Sequence, residues 1–91
     1  MINIHSTAIV SSKAKLGQNV SIGPYCIINS NVILGGNVLV MKNAHLGIKT
    51  IVHQNQVIGS YSITGMGSII TKKINIIPGY VYYGKPIKKI K

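Results

Sequence analysis

The sequence predicts an all-β fold, a single-stranded parallel β-helix of about four triangular coils followed by a short C-terminal tail. A spacing of six residues carries this prediction. Starting at Ile4, every sixth residue as far as Ile76 is aliphatic, with Thr64 as the exception. The residue two positions before each of these is mostly small or β-branched, and the residue just after it is often glycine. A short fixed period is typical of solenoids, and a period of six is typical of a parallel β-helix.

Each group of six residues, or hexad, is expected to form one short strand and one corner. Residues two apart in a strand point to the same side, so Ala8 and Val10 both face inward, and every later hexad repeats this pair. The corner needs unusual backbone angles, and we expect the glycine or asparagine beside it, such as Gly17 or Asn29, to supply them. Three hexads close one coil, and coils stack about 4.8 Å apart.

Twelve hexads between Ile4 and Asn75 predict four coils with no inserted loop. The pattern stops shortly afterwards, at Pro78 and Gly79, because proline cannot donate a hydrogen bond to a sheet and glycine favours a turn. We therefore expect a β-helix over residues 4–75 and a tail over residues 76–91 that packs on the last coil. Helix content is expected to be low, because no apolar stripe with a period of 3.6 residues appears.

Length and charge restrict the function. A chain of 91 residues with two inward side chains per hexad buries little surface, so we expect it to oligomerise. It has ten lysines and no arginine, aspartate or glutamate, which gives a net charge of +10. The lack of carboxylates excludes acid–base catalysis by Asp or Glu and excludes carboxylate metal sites. The positive charge favours anionic partners such as the phosphates of a nucleotide or coenzyme, an acidic carrier protein or nucleic acid.

Cysteine and hydropathy indicate an ordinary intracellular domain. The single cysteine, Cys26, lies in an inward column and is interpreted as a core residue. The N-terminal residues have neither a charged region nor an apolar run typical of a signal peptide, and no run of eighteen apolar residues occurs. We therefore predict a cytoplasmic protein without a membrane partner.

Several segments resemble hexapeptide-repeat acyltransferases. Three are similar to the acyl-carrier-protein-dependent UDP-N-acetylglucosamine O-acyltransferases: Ile-His-Ser-Thr-Ala-Ile-Val at 4–10, Ile-Gly-Pro-Tyr-Cys-Ile-Ile at 22–28 and Val-His-Gln-Asn-Gln-Val-Ile-Gly at 52–59. Gly-Met-Gly-Ser-Ile-Ile-Thr-Lys at 65–72 and Gly-Lys-Pro-Ile-Lys at 84–88 are similar to coenzyme A-dependent sugar acetyltransferases. The resemblance implies a left-handed β-helix and a homotrimer with sites between subunits. It also implies a thioester co-substrate, either acetyl-CoA or an acyl carrier protein, and a sugar or nucleotide-sugar acceptor.

Histidine is the natural general base for acyl transfer in a chain without carboxylates. His5 lies in the first hexad and is interpreted as structural or solvated. His45 and His53 are both expected to point outward, on different faces of the prism. Residues eighteen apart should stack, which puts Thr71 above His53 and Lys72 above Gln54. We therefore favour His53 as the catalytic base, with His45 as the second candidate.

The resemblance also implies roles for the residues around these histidines. Gln54 is expected to bind the sugar substrate. Thr71, Lys72 and Lys88 are expected to bind the cofactor, and Gly65 and Gly67 to contribute backbone amides to it or to the oxyanion.

Three alternatives stay open in the sequence. The chain is short enough to be a truncated, non-catalytic relative that acts as a trimeric scaffold or binding module. Its charge also suggests a nucleic-acid binder, although only Tyr80, Tyr82 and Tyr83 lie near the lysine-rich tail, which argues against it. A carbonic-anhydrase branch of this fold binds zinc between subunits through histidines that include a closely spaced pair. His45 and His53 are eight residues apart, so a zinc site is disfavoured and no metal is expected. The acceptor, the acyl chain length and the choice between oxygen and nitrogen as nucleophile are not fixed by the sequence.

Overall fold

The computed structural model describes residues 2–71 in full and, for the backbone, two later strands. Every regular element in these parts of the chain is a β-strand, and the first twelve strands are two residues long and start every six residues. The strands are β1 Asn3–Ile4, β2 Ile9–Val10, β3 Lys15–Leu16, β4 Ser21–Ile22, β5 Ile27–Ile28, β6 Ile33–Leu34, β7 Leu39–Val40, β8 His45–Leu46, β9 Ile51–Val52, β10 Val57–Ile58, β11 Ile63–Thr64, β12 Ile69–Ile70, β13 Val81–Gly84 and β14 Ile87–Lys89.

The strands stack into three sheets that form the faces of a triangular prism measuring 30 × 20 × 20 Å. Face 1 contains β1, β4, β7 and β10; face 2 contains β2, β5, β8, β11, β13 and β14; face 3 contains β3, β6, β9 and β12. Corner 1 leads from face 1 to face 2, corner 2 from face 2 to face 3, and corner 3 from face 3 to face 1 of the next coil. The predicted all-β fold, a left-handed parallel β-helix of about four coils, is confirmed.

The register between coils is eighteen residues throughout. On face 3, Ile69 pairs with Ile51 and Ile70 with Val52, both in parallel. The same register appears beyond the twelfth strand, where β13 joins face 2 with Val81 beside Ile63, and β14 then pairs antiparallel with β13. Much of the tail predicted over residues 76–91 lies outside the described residues, so its packing on the last coil stays a prediction.

The core is the stack of inward pairs between the three faces. Its buried hydrophobic side chains are Val20, Ile22, Cys26, Ile28, Val32, Leu34, Val38, Val40, Ala44, Leu46, Val52, Ile58 and Ile70. Hydroxyl-bearing residues join them in the later coils, and these are hydrogen-bonded: the Oγ1 atoms of Thr50 and Thr64 lie 3.0 Å apart, and the backbone N–H of Gly47 donates to Thr64 Oγ1 at 3.1 Å. The polar part of the core therefore satisfies its own hydrogen bonds.

From Asn19 onward, each described corner turns on one residue in the left-handed backbone region, and it recurs every six residues. Its φ lies between 59° and 70° at Asn19, Tyr25, Asn31, Asn37, Asn43, Lys49, Asn55, Tyr61 and Gly67. Asparagine dominates this series because its short polar side chain tolerates the left-handed region better than most. The prediction that Gly17 and Asn29 supply the unusual angles is therefore wrong by two positions, since the residues that do so are Asn19 and Asn31.

Glycine follows the inward aliphatic residue for a different reason, the closeness of the next coil. A Cβ placed on Gly35 would lie 2.6 Å from the backbone N of Gln54, and one on Gly47 would lie 2.6 Å from the carbonyl oxygen of Thr64. Carbon atoms in favourable contact are about 3.5–4.0 Å apart, so neither position accepts a side chain without moving the neighbouring coil. These glycines allow adjacent coils to approach to strand-pairing distance.

Candidate functional site

Corner 3 gathers uncharged polar side chains along one edge of the prism. Its three described turns, 17–19, 35–37 and 53–55, read Gly-Gln-Asn, Gly-Gly-Asn and His-Gln-Asn. The five carboxamide side chains in these turns are all exposed: Gln18, Asn19, Asn37, Gln54 and Asn55. Each carboxamide carries both hydrogen-bond donors and an acceptor. The edge is thus a strip of neutral hydrogen-bonding groups on a chain whose net charge is +10.

His53 occupies the position in this corner where the two earlier coils have glycine. It follows β9, its side chain is exposed, and its backbone N–H donates to the carbonyl oxygen of Ile70 at 3.0 Å. Because Ile70 pairs with Val52, Thr71 lies one coil beyond His53, as the spacing of eighteen predicts. Gln54 follows His53 and is also exposed. The structure therefore brings His53, Gln54 and Thr71 to one corner.

Other residues singled out in the sequence lie beyond the opposite edge of face 3. His45 is the first residue of β8 on face 2 and is exposed. Gly65 and Gly67 lie in corner 2, in the turn that follows β11. Within one subunit, face 3 thus separates these residues from His53. Lys72 lies outside the described residues, and for Lys88, in β14, only the backbone is described.

Hydrogen bonds hold the backbone of corner 2 in place. The N–H of Gly67 donates to the carbonyl oxygen of Ile48 at 2.7 Å, so it is already engaged within the fold. The carbonyl oxygen of Gly65 accepts from Ser68 Oγ at 2.8 Å and from Thr50 Oγ1 at 3.4 Å. The hydroxyl-bearing core residues of the later coils therefore rigidify this corner.

Face 3, between the two edges, presents an aliphatic surface. The outward residues of its last three strands are Ile33, Ile51 and Ile69, and the first two of these are 40% and 37% exposed. Only the outward residue of its first strand, Lys15, is charged. Ile69 is partly buried, so two stacked exposed isoleucines stand at the centre of this face. Exposed apolar patches of this kind are found where another protein chain covers a surface.

A depression of about 300 Å³ lies elsewhere, on face 1 and corner 1, lined by residues of the first three coils. Ile4, inward but 45% exposed, contributes to it, whereas Ile22 in the next coil is 3% exposed. His5 also lines it, and Thr7 holds the ring: the Thr7 N–H donates to His5 Nδ1 at 3.2 Å, and Thr7 Oγ1 lies 2.9 Å from the same atom.

The remaining chemistry-bearing groups lie away from corner 3. Cys26 is buried, as its inward column predicts; its thiol donates to the carbonyl oxygen of Met41 at 2.9 Å, and burial raises the pKa of the thiol above its usual value. Within residues 2–71, no three His, Cys, Asp or Glu side chains are grouped so as to hold a metal ion. In the described part of the chain, no helix is long and apolar enough to cross a membrane.

Sequence reasoning did not single out Gln18, Gly36, Asn37 or Asn55 at corner 3. Their signal is the period of eighteen combined with the side-chain type, since Asn recurs at the third position of the turns 17–19, 35–37 and 53–55. The pattern is readable in the sequence once corners, and not single motifs, are compared.

No protein-family model matches the chain. Among curated proteins it is similar to acyl-(acyl-carrier-protein)–UDP-N-acetylglucosamine O-acyltransferases. It is 68% identical over 28 residues to the one from Sulfurihydrogenibium sp., covering 31% of this chain and 10% of that protein. It is 65% identical over 26 residues to the one from Rickettsia typhi, covering 29% and 10%. The match thus spans about a tenth of the length of these relatives.

Solved structures resemble the chain over nearly its whole length. A perosamine N-acetyltransferase mutant from Caulobacter crescentus, solved with CoA and GDP-perosamine, superposes with a TM-score of 0.68 at 24% identity, over 99% of this chain and 56% of that one. A hexapeptide transferase family protein from Anaplasma phagocytophilum superposes with a TM-score of 0.73 at 17% identity, over 99% and 78%. The structural likeness shows the fold, and the sequence matches support the resemblance to hexapeptide-repeat acyltransferases.

Proposed function

We propose that the chain is an acyltransferase that moves an acetyl or acyl group from a thioester to a hydroxyl or amine of a sugar or nucleotide-sugar. The observation that carries the proposal is an exposed imidazole, His53, on an edge lined with carboxamides, in a chain without Asp or Glu. Two comparisons support it: one similar structure is a sugar N-acetyltransferase with CoA and a nucleotide-sugar bound, and the curated relatives are O-acyltransferases whose name includes an acyl carrier protein.

In this proposal His53 acts as the general base. Its imidazole takes the proton from the acceptor O–H or N–H while the oxygen or nitrogen bonds to the thioester carbonyl carbon. Collapse of the tetrahedral intermediate breaks the C–S bond, and the leaving thiolate takes the proton from the imidazolium. Positioned general bases contribute about 10²–10⁴-fold to such reactions. The exposed ring of His53 can meet both substrates, because it projects from the prism at a corner.

The acceptor lies along corner 3, with Gln54 as its nearest carboxamide. Sugar hydroxyls donate and accept hydrogen bonds, as do the amide side chains of this edge. The thioester donor approaches from the side of Thr71, with Lys72 and Lys88 meeting its anionic groups, either coenzyme phosphates or acidic side chains of a carrier protein. A net charge of +10 supports an anionic donor of either kind.

We further propose a homotrimer in which face 3 points toward the threefold axis. A cyclic interface is heterologous, so two different edges of the subunit meet. With face 3 inward, corner 3 of one subunit approaches corner 2 of the next, and His45, Gly65 and Gly67 of the neighbour join His53 at one cleft. The three successive outward isoleucines of face 3, Ile33, Ile51 and Ile69, support this choice of face, because the described outward residues of faces 1 and 2 have at most two aliphatic residues in succession. A packed interface would remove this apolar surface from water.

The test is a transfer assay with acetyl-CoA or acyl carrier protein thioesters and a panel of nucleotide-sugars, read as release of the donor thiol. Cys26 is buried, so it adds little to the thiol signal. His53→Ala is expected to lower kcat by about 10²–10⁴-fold without unfolding the protein. His5→Ala, at an exposed histidine outside corner 3, is the matched control and is expected to keep wild-type activity, and His45→Ala tests the second candidate and is expected to cost less than His53→Ala.

Full activity in His53→Ala would remove the catalytic assignment. A folded wild-type protein that binds neither thioester nor nucleotide-sugar would reject the transferase and favour the scaffold alternative. The trimer is tested separately by sedimentation equilibrium: Ile51→Lys should yield monomers if face 3 is the interface. A trimer unchanged by Ile51→Lys would contradict that choice of face.

A further inference from the structure

Gly36 is a glycine that the fold does not require. It lies in corner 3, directly after Gly35, and its φ is outside the left-handed region. A Cβ placed on Gly36 would meet only the carbonyl oxygen of Gln18, at 3.5 Å, which is an ordinary contact. A Cβ on Gly35, in contrast, would lie 2.6 Å from the backbone of the next coil. Backbone angle and coil spacing therefore explain Gly35 and leave Gly36 unexplained.

The same corner shows that a long side chain is compatible with this position. The residues one coil before and one coil after Gly36 are Gln18 and Gln54, and both are exposed glutamines. Gly36 therefore opens a notch in a column that otherwise carries carboxamides. Its carbonyl oxygen accepts a hydrogen bond from the N–H of Asn55 at 2.9 Å, so the floor of the notch is fixed to the next coil.

The walls of the notch define the chemistry of what fits it. Gln18 and Gln54 lie on either side along the column, Asn37 follows Gly36, and His53 lies at the edge of the next coil. In the turns 17–19, 35–37 and 53–55 the side chains beside the notch are carboxamides and one imidazole, so hydrogen bonding is the chemistry that these described turns offer. Carboxamides both donate and accept hydrogen bonds, and the glycine below them leaves room for a ring. This combination can bind a compact ring that bears several hydroxyl groups.

We propose that the notch at Gly36 seats the sugar ring of the acceptor and that Gly36 is a specificity-determining position. This inference rests on the proposed function and deepens it, since it places the acceptor one coil below Gln54, in reach of His53. A glycine with no structural reason is expected where a ligand approaches the backbone closely. A side chain at this position would occupy the space of the ring and leave the fold intact.

The experiment uses Gly36→Gln, which continues the existing glutamine column, with UDP-N-acetylglucosamine as the probe. Binding is followed by calorimetry and by NMR shifts of the Asn and Gln side-chain amides in the wild type, Gly36→Gln and the control Ser12→Ala, an exposed residue of corner 2. We expect Gly36→Gln to unfold at or slightly above the wild-type midpoint, because a side chain restricts the unfolded chain, and to weaken binding about 10-fold or more, as steric misfits in ligand pockets do. Ser12→Ala should bind as the wild type does.

The outcomes separate this inference from the proposed function. Binding by Gly36→Gln at wild-type affinity, or amide shifts away from corner 3, would overturn the notch while leaving the transferase in place. Binding that shifts the corner 3 amides and fails in Gly36→Gln, without any acyl transfer by the wild type, would support the notch and reject the transferase. No binding of UDP-N-acetylglucosamine by the folded wild type would overturn the notch as its sugar site, whereas the transferase is rejected only when no thioester and no nucleotide-sugar of the panel binds.

Discussion

Gly35 and Gly36 are adjacent, yet alanine is expected to affect them in opposite directions. At Gly35 the new Cβ would lie 2.6 Å from the backbone N of Gln54, against 3.4 Å for the shortest ordinary contact. The two coils must therefore separate by about 0.8 Å, the difference between those distances. They cannot do so freely, because the N–H of Gly35 donates to the carbonyl oxygen of Val52 at 2.9 Å.

The magnitude follows from comparing the two sites. Replacing glycine by alanine restricts the unfolded chain and stabilises a compatible site by about 0.4–1 kcal/mol, which is the effect expected for Gly36→Ala. The same gain applies to Gly35→Ala, so the difference between the two variants is the cost of the clash. Overpacking of this kind costs about 1–3 kcal/mol, and Gly36→Ala should exceed Gly35→Ala in stability by that amount.

The assay is urea unfolding monitored by far-UV circular dichroism, with all variants at one protein concentration because an oligomer unfolds at a concentration-dependent midpoint. Equal m-values would allow the midpoint difference to be read as a free energy. Equal stabilities for Gly35→Ala and Gly36→Ala would refute the claim that coil contact, and not backbone angle, explains the corner glycines.

Three further predictions concern stability. Lys49 has a φ of 63°, which asparagine tolerates better than lysine, so Lys49→Asn should stabilise the protein by about 0.5–1 kcal/mol. Lys13→Asn removes the same charge at the same corner and should not stabilise it, so equal effects of the two substitutions in urea unfolding would assign the gain to charge. Thr64→Val removes the hydroxyl that lies 3.0 Å from Thr50 Oγ1 and leaves that atom only its longer bond to the carbonyl oxygen of Gly65, so it should cost about 1–3 kcal/mol. The double variant with Thr50→Val should recover part of this cost, and a double variant worse than the sum of the singles would contradict the shared bond. Burial raises the pKa of the Cys26 thiol in the folded state, so the thiol favours folding fully below the unfolded-state pKa of about 8.5, and this contribution is lost as the pH rises through the folded-state pKa. Cys26→Ala should flatten that part of the pH–stability profile, and an unchanged slope would contradict the assignment to Cys26.

The period of six was sufficient to predict which residues face inward and that coils stack eighteen residues apart. It placed Thr71 beyond His53, because stacking in a solenoid depends only on sequence separation. The left-handed corner residues escaped prediction: Tyr25, Lys49 and Tyr61 adopt the same φ as asparagine, so residue type alone did not mark the position.

The sequence predicted some residues of the candidate site and missed others, because residue type alone does not show why a residue occupies its position. His53 and Gln54 stood out by side-chain chemistry, and the structure gives them a common edge with Thr71. Gly36 did not stand out, because a glycine needed for coil contact and a glycine needed for nothing in the fold look alike in a sequence. Only the distance from an added Cβ to its surroundings separates Gly36 from Gly35.

The central claim is that acyl transfer takes place at corner 3, beside His53. It is tested most directly by a crystal structure of the protein with coenzyme A and a nucleotide-sugar acceptor. We expect the sugar ring to lie over Gly36, with its reacting hydroxyl or amine within hydrogen-bonding distance of the His53 ring. The thioester donor should lie past Thr71. A nucleotide-sugar bound in the depression beside His5, with corner 3 left in contact with solvent, would contradict it.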